Sequence, residues 1–442
     1  MPPIPVPRDI PLPMPVSPLT LEVLIVFLFL LHILFVALMV GGSLLTLVFE
    51  VRGRRDRELD TLAREIGRTV TVNKSMAVVL GVGPLLVMNL LYTMYFYSAN
   101  ALTGAAWIMI VPLVTVAFLL TYAHKYSWEL LRDRKGLHIA IGAAAAGLFL
   151  AVPFIFLTNI NLMLFPERWP TVHGFFSALV LPNVLPRYLH FLTASLAITG
   201  LFLAGWFGRR GYPAEEIFGR LDRVELRRRF TSLALGATVL QLLFGPLLFF
   251  TLPSRGLSWP LAFNIAAGVS LAIAVMWLLW REVTVPQAAL GRRYFTAAVL
   301  LTGTVIFMGY GRHLYRERAV APHRAQMASA TQTWADEVLA AEMRAATGRQ
   351  RTTEEATMSP GERVFRSICM GCHAPTTRLV GPPLVEVARI YKGNPAGLAA
   401  WVRDPGKKRP DYPQMPPIRL TQDQYTAVAD YVLATFGGGQ PR

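Results

Sequence analysis

Residues 23–49 read VLIVFLFLLHILFVALMVGGSLLTLVF, 27 positions interrupted by one ionisable side chain, His32. At about 1.5 Å of helical rise per residue, the run is longer than the roughly 30 Å hydrocarbon core of a bilayer. It predicts a membrane-spanning helix. Seven more such runs follow, at approximately 75–98, 105–123, 139–164, 188–208, 231–253, 259–280 and 294–312. The expected fold is therefore all-α, a polytopic bundle of about eight transmembrane helices. Composition agrees, because only 16% of the 442 residues are charged, against about a quarter in soluble chains. Pro84, Pro112, Pro153 and Pro246 fall inside the runs, where neighbouring helices can satisfy freed carbonyls, and mark expected kinks.

The net charge of +16 would suggest nucleic acid in a soluble protein, but here most of it lies between spans. The loop after the first span holds Arg52, Arg54, Arg55, Arg57, Arg64, Arg68 and Lys74. Later loops on the same side hold Lys125, Arg132, Arg134 and Lys135, then seven arginines from Arg209 to Arg229, then Arg281, Arg292 and Arg293. The N-terminal segment and opposite loops hold only Arg8, Arg168, Arg187 and Arg255. This bias places the arginine-rich loops in the cytoplasm and both termini outside, and leaves no role for nucleic acid. The Pro-rich residues 1–21 lack a basic segment and a small-residue cleavage site, so a retained surface strap is expected there. Residues 22–312 form the membrane domain, 313–357 a polar helical linker, and 358–442 a small globular domain.

The chain has two cysteines, both in Cys369-Met370-Gly371-Cys372-His373, which excludes a disulfide-stapled fold. In C-x-x-C-H two thiols can form thioethers to haem vinyls while the adjacent imidazole reaches the iron; a zinc or redox dithiol is the alternative. The preceding SPGERVFRSI has apolar Val364, Phe365 and Ile368 at helical spacing, suited to covering a haem face. No other His lies in the domain, and Met415, within PQMPPI, is its only Met after the attachment site. A last amphipathic helix, about 421–436, carries Tyr425, Val428, Tyr431 and Val432 and is expected to pack across the first.

With GERVF before the attachment site, GPPL at 381–384 and MPP around Met415, residues 358–442 resemble a class I cytochrome c. The resemblance implies one covalent haem c held by Cys369 and Cys372, with His373 and Met415 as axial ligands, a pairing suited to a one-electron carrier. It also implies attachment on the outer side of a bacterial cytoplasmic membrane, the side that the charge bias gives the C-terminus. The domain holds 11 basic and 6 acidic residues. Lys407, Lys408 and Arg409 read either as a docking surface for an acidic redox partner or as a solvated loop.

In the membrane domain an ionisable residue is a functional candidate. His32 lies well inside the first span, His190 near the outer end of the fifth, and His313 closes the eighth. These three are candidate ligands for one or two b haems, with simple backbone hydrogen bonding as the alternative. Met308 could supply a thioether instead. His124 and His138 stand at cytoplasmic span ends, His173 and His323 in outer loops.

The segments LLHILFVALMVGGSLLTLVFE (30–50), GVGPLL (81–86), KYSWELLRDRKG (125–136), LPNVLPRYLHFLTASLAITG (181–200) and FNIAAG (263–268) are similar in order and spacing to the large haem-bearing subunit of cytochrome bd quinol oxidases, over about residues 20–285. The resemblance implies that His32 ligates one haem of a high-spin pair and His190 the low-spin b haem. Three departures stand out. The Met completing low-spin ligation falls at Ala266, two glutamates of the third span fall near Met109 and Ala117, and the long quinol loop shrinks to Pro253–Ser258. Each removes something that oxygen reduction by quinol needs. The leading expectation is an electron-transfer subunit in which b haem in the bundle exchanges electrons with the outward haem c, linked to quinone or to other subunits of a respiratory complex. The alternatives are a bd-like oxidase fed by the haem c, and a haem-free anchor for a larger complex.

Overall fold

A computed structural model describes residues 16–287, 290–348, 357–407 and 409–438. Among them, eight helices are long and apolar enough to cross a membrane. The helices are α1 (Pro18–Gly53), α2 (Arg57–Leu91), α3 (Thr93–Thr103), α4 (Ala105–Ile108), α5 (Ile110–Tyr126), α6 (Lys135–Leu162), α7 (Phe175–Leu179), α8 (Val184–Gly208), α9 (Ala214–Ile217), α10 (Arg223–Phe250), α11 (Trp259–Thr284), α12 (Tyr294–Gly348), α13 (Pro360–Val364), α14 (Leu384–Ile390), α15 (Pro395–Arg403) and α16 (Gln422–Phe436). The described residues are helical or irregular, with no strand. The chain divides into two compact units, Met1–Thr333 and Trp334–Arg442.

Helix starts follow local chemistry. Ser17, Asp56, Asp222 and Ser258 accept bonds from backbone N–H groups that the first turn leaves orphaned, and prolines occupy first-turn positions in α1 and α11. Helices α2, α6 and α10 run on through Pro84, Pro153 and Pro246. The expected 75–98 run breaks between Leu91 and Thr93 and the 105–123 run at Met109, and two further departures are larger. Residues 57–74, expected as a loop, form the first half of α2, because Leu62, Ala63 and Ile66 recur at helical spacing and are fully buried. The eighth span and most of the linker are one helix, α12. The proposed N-terminal strap falls mainly outside the described residues, and Pro18 already opens α1.

Within the first unit, α1 packs along α2, α6 and α8, and α8 along α10. Small residues let backbones close in. A Cβ on Gly200 would stand 2.9 Å from the Ala234 nitrogen, and one on Gly42 2.6 Å from a Val70 methyl. The arginine-rich segments gather at one end. Arg220 pairs with Asp56 (2.7 Å), Arg64 with Glu129 (2.6 Å), and Lys135 with Asp60 (2.6 Å); Arg228 donates to the Val285 carbonyl (3.0 Å). At the opposite end Arg255 donates to the Ala319 carbonyl (2.8 Å) and pairs with Glu167 (3.0 Å), and Tyr315 donates to the Pro253 carbonyl (3.0 Å).

In the second unit α13 crosses α16, and Gly361 permits it because any Cβ there would strike the Ala427 carbonyl. Phe365 meets Tyr431 at 5.4 Å and Phe436 at 5.6 Å. The expected packing of last helix on first is thus realised, with Val364, Leu384, Leu398, Tyr425, Val428 and Val432 as its core.

Candidate haem sites

In the C-terminal unit Ser359 caps α13, and a π-helical turn over Phe365–Cys369 widens the helix just before the C-x-x-C-H segment. The next turn folds back on Cys369, whose carbonyl accepts from the N–H groups of Cys372 (3.1 Å) and His373 (3.0 Å). The Cys372 carbonyl in turn accepts from Gly381 (2.8 Å). The His373 ring then sits against Gly381, where a side chain would collide with it, and Nδ1 donates to the Pro382 carbonyl at 2.9 Å. That bond fixes the tautomer and leaves Nε2 to ligate. Both cysteines are free, Cys369 half-buried and Cys372 exposed. Burial, and then the adjacent Cys372, pushes the Cys369 thiol up to about 11. A redox dithiol needs a depressed pKa, and among the described residues no further His, Cys or carboxylate joins the pair as zinc would require. Met415 lies in an irregular segment and packs on the same core as Cys369. Tyr425 pins the end of that segment, donating to Ile418 (2.5 Å) and accepting from Leu420 N–H (3.2 Å). Of the suggested docking cations, Arg409 is paired within the domain to Glu386 and Asp411, Lys407 is exposed, and Lys408 lies outside the described residues.

In the membrane unit the three candidate histidines face different neighbours. His32 points from α1 to α2, its Nδ1 donating to the Ala77 carbonyl (2.8 Å), and Gly81 leaves room for the ring. His190 on α8 lies beside Gly245 of α10, with Nδ1 buried and unpartnered. His313 on α12 is 6% exposed; its Nε2 is 3.8 Å from Glu22 on α1, and its Nδ1 is buried and unpartnered. Around the latter two stand Arg187, Arg312 and Arg316, within electrostatic reach of one another. Arg187 donates to its own helix cap, Asn183 (2.8 and 2.6 Å), Arg316 to the Met88 sulfur (3.8 Å), and Arg312 lies over the Phe29 ring with Nε unpartnered. None of the three pairs with a carboxylate among the described residues.

At the arginine-rich end the fold makes a constellation that the sequence reading did not contain. Glu50, fully buried, accepts from His124 Nε2 (2.7 Å), from Lys135 (3.0 Å) and from His138 Nδ1. The imidazoles stack at 4.1 Å. The only hint in the sequence was a glutamate closing the first span while two histidines flanked the next loop on that side.

Two comparisons bear on the C-terminal unit. A family model described as cytochrome c oxidase, cbb3-type, subunit III, matches residues 356–432. Cytochrome c2 of Rubrivivax gelatinosus is 34% identical over 84 residues, which is 17% of this chain and 98% of that protein. Through this unit the chain belongs to the class I cytochrome c family. The cytochrome c domain implies a covalent haem c, which its free thiols, the locked His373 and a Met415 packed on the same core fit.

For the membrane unit, the bd oxidase of Geobacillus thermodenitrificans superposes with a TM-score of 0.53 at 13% identity, over 74% of this chain and 96% of that one. The bundle thus has a bd-like fold, joined in one chain to the cytochrome c domain, and the chain is a membrane electron-transfer cytochrome. In the third span Ala117 is fully buried among Met39, Val40, Ala77 and Phe149, and Met109 is exposed. A b haem, with two propionates and an iron seeking imidazole, fits the unpartnered histidine nitrogens and uncompensated arginines at the other end.

Proposed function

We propose that this protein is a respiratory electron-transfer subunit of a bacterial cytoplasmic membrane. One or two b haems in the bundle would exchange electrons with the outward haem c, which serves a soluble or bound redox partner, while the bundle answers to quinone or to other membrane subunits. The observation that carries this reading is the pair of buried, unpartnered imidazole nitrogens beneath arginines that lack a carboxylate. Leaving such groups buried and unmatched is costly, so their persistence favours a bound anion with a metal. Haem iron there would take up and release one electron at a time. The chain's own residues do the rest. His32 is oriented by the Ala77 carbonyl, Arg187 and Arg312 offer donors to carboxylates, and the apolar wall around Ala117 withholds protons from the interior. The arginine-rich end, by the positive-inside rule, faces the cytoplasm.

The test is the haem inventory of the purified full-length protein, by extraction and reduced-minus-oxidised spectra. Non-covalent haem beside one covalent haem is expected; a single covalent haem per chain would leave only a tethered carrier. A second reading, a bd-like oxidase, draws on His32, whose bonded Nδ1 leaves Nε2 for iron. Carbon monoxide decides between them, since a high-spin haem at His32 would bind it when reduced.

A further inference from the structure

A b haem held by His190 needs a second axial donor if it is to be low-spin, and a regularity in the bundle points to one. Leu201 of α8, Ala234 of α10, Leu279 of α11 and Ala297 of α12, one residue from each helix, belong to one buried cluster. Consecutive members of α10, α11 and α12 run antiparallel, and α8 runs opposite to α10. Eleven residues are three helical turns, about 16 Å along the axis and back on nearly the same face. Stepping eleven residues from each of these four, away from the arginine-rich end, arrives at His190, Gly245, Gly268 and Met308. The contacts agree. The His190 ring meets Gly245, and the Met308 side chain lies against Gly268, where a Cβ would stand 2.6 Å from its Cε and 3.5 Å from its sulfur. At this depth an imidazole lies on one glycine and a thioether on the other.

One turn further on, α8 presents Arg187 and α12 presents Arg312, three and four residues from His190 and Met308. They are within electrostatic reach of each other, and Tyr294 of α12 donates to the Leu201 carbonyl of α8 (3.1 Å), so the two helices are neighbours. His32 and His313 are turned elsewhere, to α2 and to Glu22 on α1. We propose that Met308 is the sixth ligand of the b haem bound by His190, with Arg187 and Arg312 meeting its propionates.

This rests on the presence of b haem, and the experiment separates the two. In the full-length, haem-replete protein, Met308→Leu keeps the volume and removes the ligand, and Met308→His restores one. If Met308 ligates, the Leu variant turns one non-covalent haem from low-spin to high-spin by optical and electron-spin spectra and makes it bind carbon monoxide. The His variant returns it to low spin with a lower midpoint potential, as expected when imidazole replaces thioether. A b-haem spectrum unchanged in Met308→Leu overturns the ligand assignment while leaving the haem reading intact. Absence of non-covalent haem in the unaltered protein overturns both.

Discussion

Glu50 and His138 are hydrogen-bonded where neither side chain is touched by solvent. The other ring nitrogen of His138 is 2.8 Å from the His124 carbonyl, so both nitrogens face acceptors and the ring needs a proton on each side unless the carboxyl supplies one. Lys135 and His124 complete the set around Glu50. Breaking such a buried network strands the remaining charges. His138→Ala and Glu50→Ala are expected each to cost about 3–5 kcal/mol, read as a lowered unfolding midpoint in detergent, and the double variant less than the sum of the two. Strict additivity would show that the residues do not form one network.

Gly381→Val should displace His373, because the added side chain occupies the ring's position. Haem-stained gels and the reduced spectrum are expected to show a sharp fall in haem c with the membrane unit still inserted. Full haem content with unaltered ligation would mean that the ring can move aside.

In chain made without haem attachment, the Cys369 thiol, pushed up to about 11 by burial, stays protonated near pH 8. A raised pKa delays the thiolate, so Cys369 alkylation should quicken about tenfold per pH unit between 8 and 10, followed by mass spectrometry with Cys372 replaced by Ser. A rate already level at pH 8 would contradict the burial argument.

Orientation is open to labelling. A cysteine placed at Arg210, in an arginine-rich segment, is expected to react with an impermeant maleimide only after the membrane is breached, and one at Arg255 in intact spheroplasts. The reverse pattern would invert the topology.

Arg187→Gln and Arg312→Gln remove positive charge beside the proposed haem. Each is expected to lower the midpoint potential of the b haem and weaken its retention through purification, with haem c unaffected. Potentiometric titration reads this directly.

The eight spans were legible because a bilayer demands long apolar runs, and the cytochrome c domain because thioether attachment demands a fixed spacing. What escaped was set by packing. Residues 57–74 hid a helix because their apolar stripe, Leu62, Ala63 and Ile66, is interleaved with charges. Glu50 was passed over because a lone carboxylate at the end of a span looks like a headgroup-level residue until α6 brings His138 against it. Sequence order favoured His32 and His313 over Met308; side-chain direction changes that order, with His32 on α2, His313 toward α1 and Met308 on Gly268. The cations near Met415 show the same limit, for Arg409 is taken up by Glu386 and Asp411.

Helix α12 runs unbroken from Tyr294 to Gly348, 55 residues. At about 1.5 Å per residue it extends about 80 Å, well over twice the roughly 30 Å hydrocarbon core of a bilayer. More than half of the helix therefore lies outside the apolar layer, and polar substitutions there should be tolerated far better than in residues 294–312.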